Sequence, residues 1–154
     1  MINQQERRLE RKLQANQHVP QANKTILVVE YGSNSTGGNL RVLDYKNKQW
    51  RMLSLKVPRS RLEPALVNLN DEIYMIGGRS NDNRDYGETC FKLTKELQWV
   101  EIARLRNRIT NIANSCVEFN GCIWIMGGNE LSEYSGSKKT KIYNKNEDAW
   151  NEGP

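Results

Sequence analysis

The chain has 154 residues, enough for one ordinary domain with a packed core; 37% of them are hydrophobic and 27% are charged. Its longest apolar runs, 25–29 and 123–126, are far shorter than the roughly 18 residues of a membrane-spanning helix, so we expect no membrane partner. The formal net charge of +5 hints at acidic partners. No basic block is interleaved with aromatic residues in the manner of nucleic-acid-binding segments, and we expect no nucleic acid partner.

The amino-terminal segment differs in kind from the rest. Ile2, Leu9 and Leu13 recur at helical spacing among charged residues, which predicts a short helical tail over 1–15. Residues 16–24 are rich in Gln and Asn and are predicted to be a linker. Because residues 1–12 are charged where a signal peptide would be apolar, we expect a cytoplasmic protein.

Two sequence markers then recur with one period. Double glycines stand at Gly77-Gly78 and Gly127-Gly128, 50 residues apart. Tryptophans keep nearly the same period, with spacings of 49 and 51 residues between Trp50, Trp99 and Trp150. A repeat of this length is typical of propellers and solenoids.

The two best copies of the repeat, 65–78 and 115–128, align without a gap and match at almost every apolar position. Each predicts a short strand, a two-residue turn and a second strand that ends at the double glycine. The turns are Asn70-Asp71 and Asn120-Gly121. Asn-Gly between apolar runs is the strongest short-range hairpin signal, because a type I′ turn needs positive φ at both central residues.

After each double glycine, a polar loop leads to a third strand, 88–93 or 140–143, and a fourth strand opens at the tryptophan. Four antiparallel strands in a unit of this length make one blade of a β-propeller. We therefore predict an all-β fold with blades at about 25–57, 58–105 and 106–154.

The first and last blades are expected to be incomplete. The first has no opening strand, and its apolar run 26–29 leads to Gly32, with one glycine where the other copies have two. The last stops at Pro154, where its fourth strand begins. About two and a half blades remain, and propellers close with 4–8, so we expect a fragment or a truncated product that exposes an uncovered blade face.

The pattern resembles the kelch repeat, in which an aromatic residue precedes an apolar pair and Gly-Gly, and a Tyr and a Trp follow. The second copy has Tyr74-Met75-Ile76-Gly77-Gly78, and the third has Trp124-Ile125-Met126-Gly127-Gly128. Arg61 is similar to the family's arginine, whereas the third copy has Asn111 in register. The repeat markers are Trp50, Gly77, Gly78, Trp99, Gly127, Gly128, Tyr143 and Trp150. The resemblance covers 25–154 and implies a kelch-type β-propeller fragment.

WD40 propellers are the nearest alternative. None of the three tryptophans is followed by the Asp of that family, since Arg51, Val100 and Asn151 stand there. Sialidase-type blades need an Asp-box motif, which the sequence lacks.

Residues that carry chemistry are scarce. The cysteines Cys90, Cys116 and Cys122 fit no metal-ligand spacing, and His18 is the single histidine. In the predicted hairpin, Cys122 and Cys116 face different residues, so we expect free, buried thiols. A lone histidine cannot build a histidine-based triad. We expect no metal, no cofactor and no enzyme activity.

The resemblance implies a module for protein–protein interaction, similar to the substrate-recognition propeller of BTB-BACK-kelch adaptors of cullin-RING ubiquitin ligases. The charged tail over 1–15 is similar to the end of a BACK region in such adaptors. A cullin would be a partner only if a BTB domain lies upstream. In that family, targets dock on the loops after Gly-Gly and the links between blades. The partner-binding candidates on these loops are Arg59, Arg61, Arg79, Arg84, Tyr86, Arg106, Arg108 and Tyr134.

These arginines would suit an acidic target segment, because a guanidinium binds a carboxylate through two parallel hydrogen bonds. The two tyrosines would supply anchors. An actin-binding or cytoskeletal kelch scaffold is the alternative, since basic loops suit acidic actin equally well. A truncated product without either activity is the third possibility.

Overall fold

The computed structural model describes residues 25–30, 38–44, 46–58, 61–80, 87–106, 109–110, 112, 115–130 and 136–154. This part of the chain is built from strands and contains no helix. The strands are β1 (Thr25–Glu30), β2 (Asn39–Asp44), β3 (Gln49–Lys56), β4 (Arg61–Leu62), β5 (Ala65–Leu69), β6 (Glu72–Ile76), β7 (Arg79–Ser80), β8 (Cys90–Leu93), β9 (Trp99–Ile102), β10 (Ile109–Thr110), β11 (Cys116–Phe119), β12 (Cys122–Met126), β13 (Asn129–Glu130), β14 (Thr140–Asn144) and β15 (Ala149–Glu152). The predicted all-β class is confirmed, whereas the predicted helical tail 1–15 and linker 16–24 lie outside the described residues.

The strands form three successive antiparallel sheets and two short ribbons within the described ranges. The first blade is β1-β2-β3, the second is β5-β6-β8-β9 and the third is β11-β12-β14-β15. The ribbons are β4-β7 and β10-β13. The blades are therefore those of a partial propeller, as the repeat predicts.

The third blade differs from the prediction in one respect. Its fourth strand does not merely begin at Trp150: Ala149–Glu152 pairs with β14 from Asn144↔Ala149 to Lys141↔Glu152. The strand is held because Trp150 packs against the core between the second and third blades. The division of the whole chain into a tail, a linker and repeats stays a prediction.

Both predicted hairpin turns have the expected geometry. In the second blade, Asn70 and Asp71 have φ of 52° and 62°; in the third, Asn120 and Gly121 have φ of 53° and 71°. These are the positive angles of a type I′ turn, which matches the twist of the flanking strands. The turns fix the register, so that Leu69 lies opposite Glu72.

Side chains alternate between the two faces of each sheet, and both faces of the second blade are buried. We call the face toward the following blade the forward face and the opposite one the rear face. On β6, Tyr74 and Ile76 point forward into the core shared with the third blade, and Met75 points to the rear into the core shared with the first. The first of these cores contains Ala65, Val67, Leu69, Tyr74, Ile76, Cys90, Leu105, Ile109, Ile112, Ile123, Ile125 and Tyr143. The second contains Leu40, Val57, Met75 and Phe91.

In the residues that the structure describes, no helix is long and apolar enough to cross a membrane.

Candidate protein-binding face and the contacts that hold it

Two short ribbons bring the loops that follow Gly-Gly against the links between blades. β4, in the link from the first to the second blade, pairs with β7, directly after Gly77-Gly78. β10, in the link from the second to the third blade, pairs with β13, directly after Gly127-Gly128. Loops far apart in sequence therefore meet at the same strand ends, and we call the set of ribbons and loops the ribbon end.

The glycines at the ribbon end are required by the backbone. Gly77, Gly78, Gly127 and Gly128 have φ of 58°, 82°, 85° and 100°, which L side chains rarely adopt. Gly87 is more constrained, because it has φ of 92° and a Cβ there would lie 2.4 Å from the backbone oxygen of Ile109. The glycines let the chain leave a crowded sheet and pass close to the next link.

The ribbon end contains part of the predicted site. Arg61 lies in β4 opposite Ser80, and Arg79 lies in β7 opposite Leu62, so the two arginines stand on paired strands. Arg106 is exposed in the link after β9. The other candidates, Arg59, Arg84, Tyr86, Arg108 and Tyr134, lie outside the described residues.

Some of the basic charge near this end is already paired. The side chain of Arg104 donates from Nε to Oε1 of Glu101 at 2.6 Å. The basic run 104–108 therefore offers less free charge to a partner than its sequence indicates, and within it Arg106 is exposed.

A polar latch joins the second and third blades. Oδ1 of Asp148 accepts hydrogen bonds from the Tyr143 hydroxyl at 2.8 Å and from the backbone N–H of Ala103 at 2.9 Å. Nε1 of Trp150 donates to the carbonyl oxygen of Ala103 at 2.9 Å. Both backbone polar groups of Ala103 are thus held by the third blade. The latch fixes the start of the link that carries Arg106.

Aromatic rings pack beside the latch. The Tyr143 ring lies 5.1 Å from the Trp150 ring and 5.8 Å from the Tyr74 ring, centroid to centroid, in tilted arrangements. Burial, followed by the hydrogen bond and charge of Asp148, raises the pKa of the Tyr143 hydroxyl, so it remains a hydrogen-bond donor at neutral pH. The repeat tyrosine and tryptophan of the third blade are therefore packing residues between blades.

Glu72 forms a second polar contact between the same blades. Its carboxylate accepts from the Tyr74 hydroxyl at 3.0 Å and from Nζ of Lys92 at 3.2 Å, and Nζ of Lys145 on the third blade lies 3.6 Å away. Burial acts to raise the pKa of Glu72, but these hydrogen bonds and positive charges outweigh it and leave the pKa below its usual value. The carboxylate is therefore charged at neutral pH and ties Lys145 to the second blade.

The thiols are not arranged for chemistry. Cys90 is buried, Cys116 and Cys122 are half-buried, and none of the three is in a disulfide bond. Burial raises the pKa of the Cys116 thiol to about 12. Within the described ranges, no group of three or more His, Cys, Asp or Glu side chains is placed to hold a metal ion.

Sequence reasoning missed the latch and the Glu72 contact. A signal was present at one position: Leu97 and Asp148 each stand two residues before the repeat tryptophan, with φ of 58° and 44°. A polar residue there can reach the preceding blade, whereas the leucine of the second blade cannot. In addition, Nε1 of Trp99 is buried without a hydrogen-bond partner among the described residues, whereas Nε1 of Trp150 donates to Ala103.

Comparison with known proteins supports the repeat. The chain is 28% identical over 121 residues to Kelch-like protein 36 of Bos taurus, covering 75% of this chain and 19% of the relative. It is 32% identical over 98 residues to Kelch-like protein 30 of Homo sapiens, covering 61% of this chain and 16% of the relative. No family model matches the chain.

A solved structure has the same fold. The structure of YjhT, a kelch-type propeller, superposes with a TM-score of 0.65 at 16% sequence identity, covering 85% of this chain and 47% of that one. At this identity the likeness concerns the fold. Together with the period and the blade topology, it shows that the chain has the fold of a partial kelch-type β-propeller.

Proposed function

We propose that the chain is a protein-interaction module that holds an acidic segment of a target protein at the ribbon end. The observation that carries the proposal is the pairing of β4 with β7 and of β10 with β13. It assembles loops from neighbouring blades into one surface, as a binding site on a rigid scaffold requires.

The charge of the ribbon end supports an acidic target. Arg61 and Arg79 are on paired strands, and Arg106 is exposed on the next link. Arginine side chains bind carboxylates through paired, charge-assisted hydrogen bonds. The described repeat residues Tyr143, Trp99 and Trp150 pack in the cores between blades, which gives them a structural role and leaves target binding to the loops.

In the full-length gene product, we assign this module to target recognition in a cullin-RING ubiquitin ligase adaptor. The support is similarity to two Kelch-like proteins, together with the resemblance of the sequence to the propellers of BTB-BACK-kelch adaptors. The chain spans less than a fifth of the length of each of these relatives, so the role concerns a longer protein.

Target binding can be tested with a displayed library of random peptides. The wild-type chain should retain peptides enriched in Asp and Glu. Their affinity should fall at least about tenfold for the double variant Arg79→Glu/Arg106→Glu, because two attractive contacts become repulsive. The control is Lys46→Glu/Lys95→Glu, which makes the same change of charge at the opposite strand ends, in the β2–β3 and β8–β9 turns. Equal losses in both variants, or retained peptides without acidic enrichment, would refute a specific acidic site.

The adaptor role needs a separate experiment on the full-length product. Its transcript should encode a BTB-BACK region upstream, and the tagged protein should co-purify with a cullin. Cosedimentation with filamentous actin and no recovery of a cullin would replace this assignment with the cytoskeletal scaffold.

A further inference from the structure

The link between β9 and β11, which carries Arg106, begins at a residue whose backbone is held by the next blade. The N–H of Ala103 donates to Oδ1 of Asp148 at 2.9 Å, and its carbonyl oxygen accepts from Nε1 of Trp150 at 2.9 Å. Asp148 and Trp150 both belong to the third blade, since Asp148 stands in the turn before β15 and Trp150 in β15 itself. The third blade therefore fixes the backbone three positions before Arg106.

The second blade fixes the same link on both sides of Arg106. The N–H of Leu105 donates to the carbonyl oxygen of Glu88 at 2.8 Å, and the Leu105 side chain is 2% exposed. Farther along, the backbone oxygen of Ile109 lies so near Gly87 that a Cβ there would be 2.4 Å from it. Arg106 itself is exposed. An exposed arginine thus stands on a backbone that is anchored before and after it, as on a rigid binding scaffold.

These anchors also set Arg106 relative to the other basic segment of the ribbon end. The loop of the second blade begins with Arg79 in β7 and ends at Gly87 and Glu88, against which the link lies. The two arginines therefore belong to one cluster of loops but to separate segments of the chain. Their relative placement depends on the contacts that hold the link.

The link from the first to the second blade has no such latch in the part of the chain that the structure describes. The N–H of Val57 donates to the carbonyl oxygen of Gly38 at 3.0 Å, which anchors this link to the first blade. The place of Asp148 is taken in the second blade by Leu97, whose side chain has no acceptor, and Nε1 of Trp99 is buried without a partner among the described residues. The latch is therefore specific to the link that carries Arg106.

We propose that Asp148 is a positioning residue for target binding, which holds the link through Ala103 so that Arg106 is in place before an acidic segment binds. The inference rests on the proposed function of the ribbon end and adds a residue outside it. Asp148 acts by restricting the link in the free protein. A segment that must be ordered on binding lowers affinity, because the loss of conformational freedom opposes association. Loss of the latch should therefore weaken target binding.

The sign of the effect distinguishes positioning from charge. Asp148→Ala removes a formal negative charge, and charge alone would strengthen the binding of an acidic peptide. Positioning predicts the opposite, an increase in Kd of about threefold to tenfold, as expected when one short segment must be ordered on binding. Asp148→Asn removes the same charge, but its amide oxygen can accept both hydrogen bonds and asparagine tolerates the φ of 44°. This variant should bind at least as tightly as wild type.

The test measures the Kd of acid-rich peptides retained by the wild-type chain, by fluorescence anisotropy, for variants whose folding is verified by near-UV circular dichroism. Asp148→Ala should bind more weakly than wild type, and Asp148→Asn should not. The matched control is Asp71→Ala, which also removes one negative charge at a positive φ, 62°, in the β5–β6 hairpin turn. It should bind at least as tightly as wild type. Equal affinities of Asp148→Ala and wild type, or a loss in Asp148→Asn as large as in Asp148→Ala, would overturn the inference.

A double variant tests whether Asp148 acts through Arg106. Arg106→Ala should weaken binding, and Arg106→Ala/Asp148→Ala should bind no more weakly than Arg106→Ala, because the residue that the latch positions is then absent. Additive losses would indicate a general effect on structure and would contradict positioning. A wild-type chain that retains no acid-rich peptides would instead refute the proposed function, and this inference with it.

Discussion

Replacing Asp148 by alanine should weaken the contact between the second and third blades. The substitution removes the acceptor of two hydrogen bonds, from the Tyr143 hydroxyl at 2.8 Å and from the Ala103 N–H at 2.9 Å. Tyr143 is 2% exposed, so its hydroxyl would be left buried without this partner. Alanine would also have to adopt the φ of 44° that Asp148 has.

The magnitude follows from these losses. Hydrogen bonds to a charged group contribute about 1.5–3 kcal/mol each. Because Asp148 is exposed, we expect each of its hydrogen bonds to contribute near the lower limit of this range. A non-glycine residue at positive φ costs about 1 kcal/mol, less for Asp than for Ala. We expect a loss of about 3 kcal/mol in the free energy of unfolding, and at about 2–4 °C per kcal/mol for a chain of this size, a fall in Tm of about 6–12 °C.

Urea unfolding followed by tryptophan fluorescence measures this loss. The control is Asp71→Ala, which places alanine at a φ of 62° in a hairpin turn where no bond between blades is lost, and which should cost about 1 kcal/mol. Tyr143→Phe should cost about 1–2 kcal/mol. The double variant should lose less than the sum of the two single losses, because both remove the same hydrogen bond. Equal losses for Asp148→Ala and Asp71→Ala, or full additivity, would show that the latch does not stabilise the protein.

Two further variants test the ribbon end and the second polar contact. In urea unfolding, Gly87→Ala should cost at least about 2 kcal/mol more than the control Gly121→Ala. Both glycines have positive φ, but a Cβ at Gly87 would lie 2.4 Å from the Ile109 backbone oxygen, whereas a Cβ at Gly121 would meet nothing within 4 Å. Equal losses would refute the close approach of Gly87 to Ile109. The depressed pKa of Glu72 contributes stability that is present above its ordinary value of 4.5 and lost as the pH falls through its value in the folded protein. Glu72→Gln should therefore flatten the decline of the urea midpoint below about pH 5, and an unchanged decline would contradict the stabilisation of the Glu72 carboxylate by Tyr74 and Lys92.

The fold could be predicted from the sequence because its signals are local. Asn120-Gly121 fixes a type I′ turn, and the turn then fixes which residues of β11 and β12 face each other. The 50-residue period carries the same pattern into the second blade, where Asn70-Asp71 takes the corresponding positive angles. These residues act within their own blade, so a single sequence is sufficient to place them.

Contacts between blades were harder to predict because they depend on the neighbouring sheet. Trp99 and Trp150 are equivalent in the repeat, but Trp150 donates to Ala103, while Nε1 of Trp99 has no partner in the described part of the chain. Trp50, the third member, is 49% exposed because it stands on the rear face of the first blade. The repeat gives all three the same expected packing role, and their differences arise from what lies opposite each one.

The distribution of polar contacts has a consequence for the ribbon end. In a repeat protein each unit contacts mainly its neighbours, so stability is the sum of contacts between adjacent blades. The described contact between the first and second blades is mainly apolar, whereas that between the second and third also has the latch and the Glu72 group. Ile109, which begins β10, and Ile112 are 1% and 0% exposed, and both lie in the contact between the second and third blades. The β10-β13 ribbon is therefore anchored in the contact that has both apolar and polar interactions. We expect slower amide exchange in the β10-β13 ribbon than in the β4-β7 ribbon. If Asp148→Ala increased the amide exchange rates of both ribbons equally, the described blades would unfold as one unit, and the contacts between blades would not open independently.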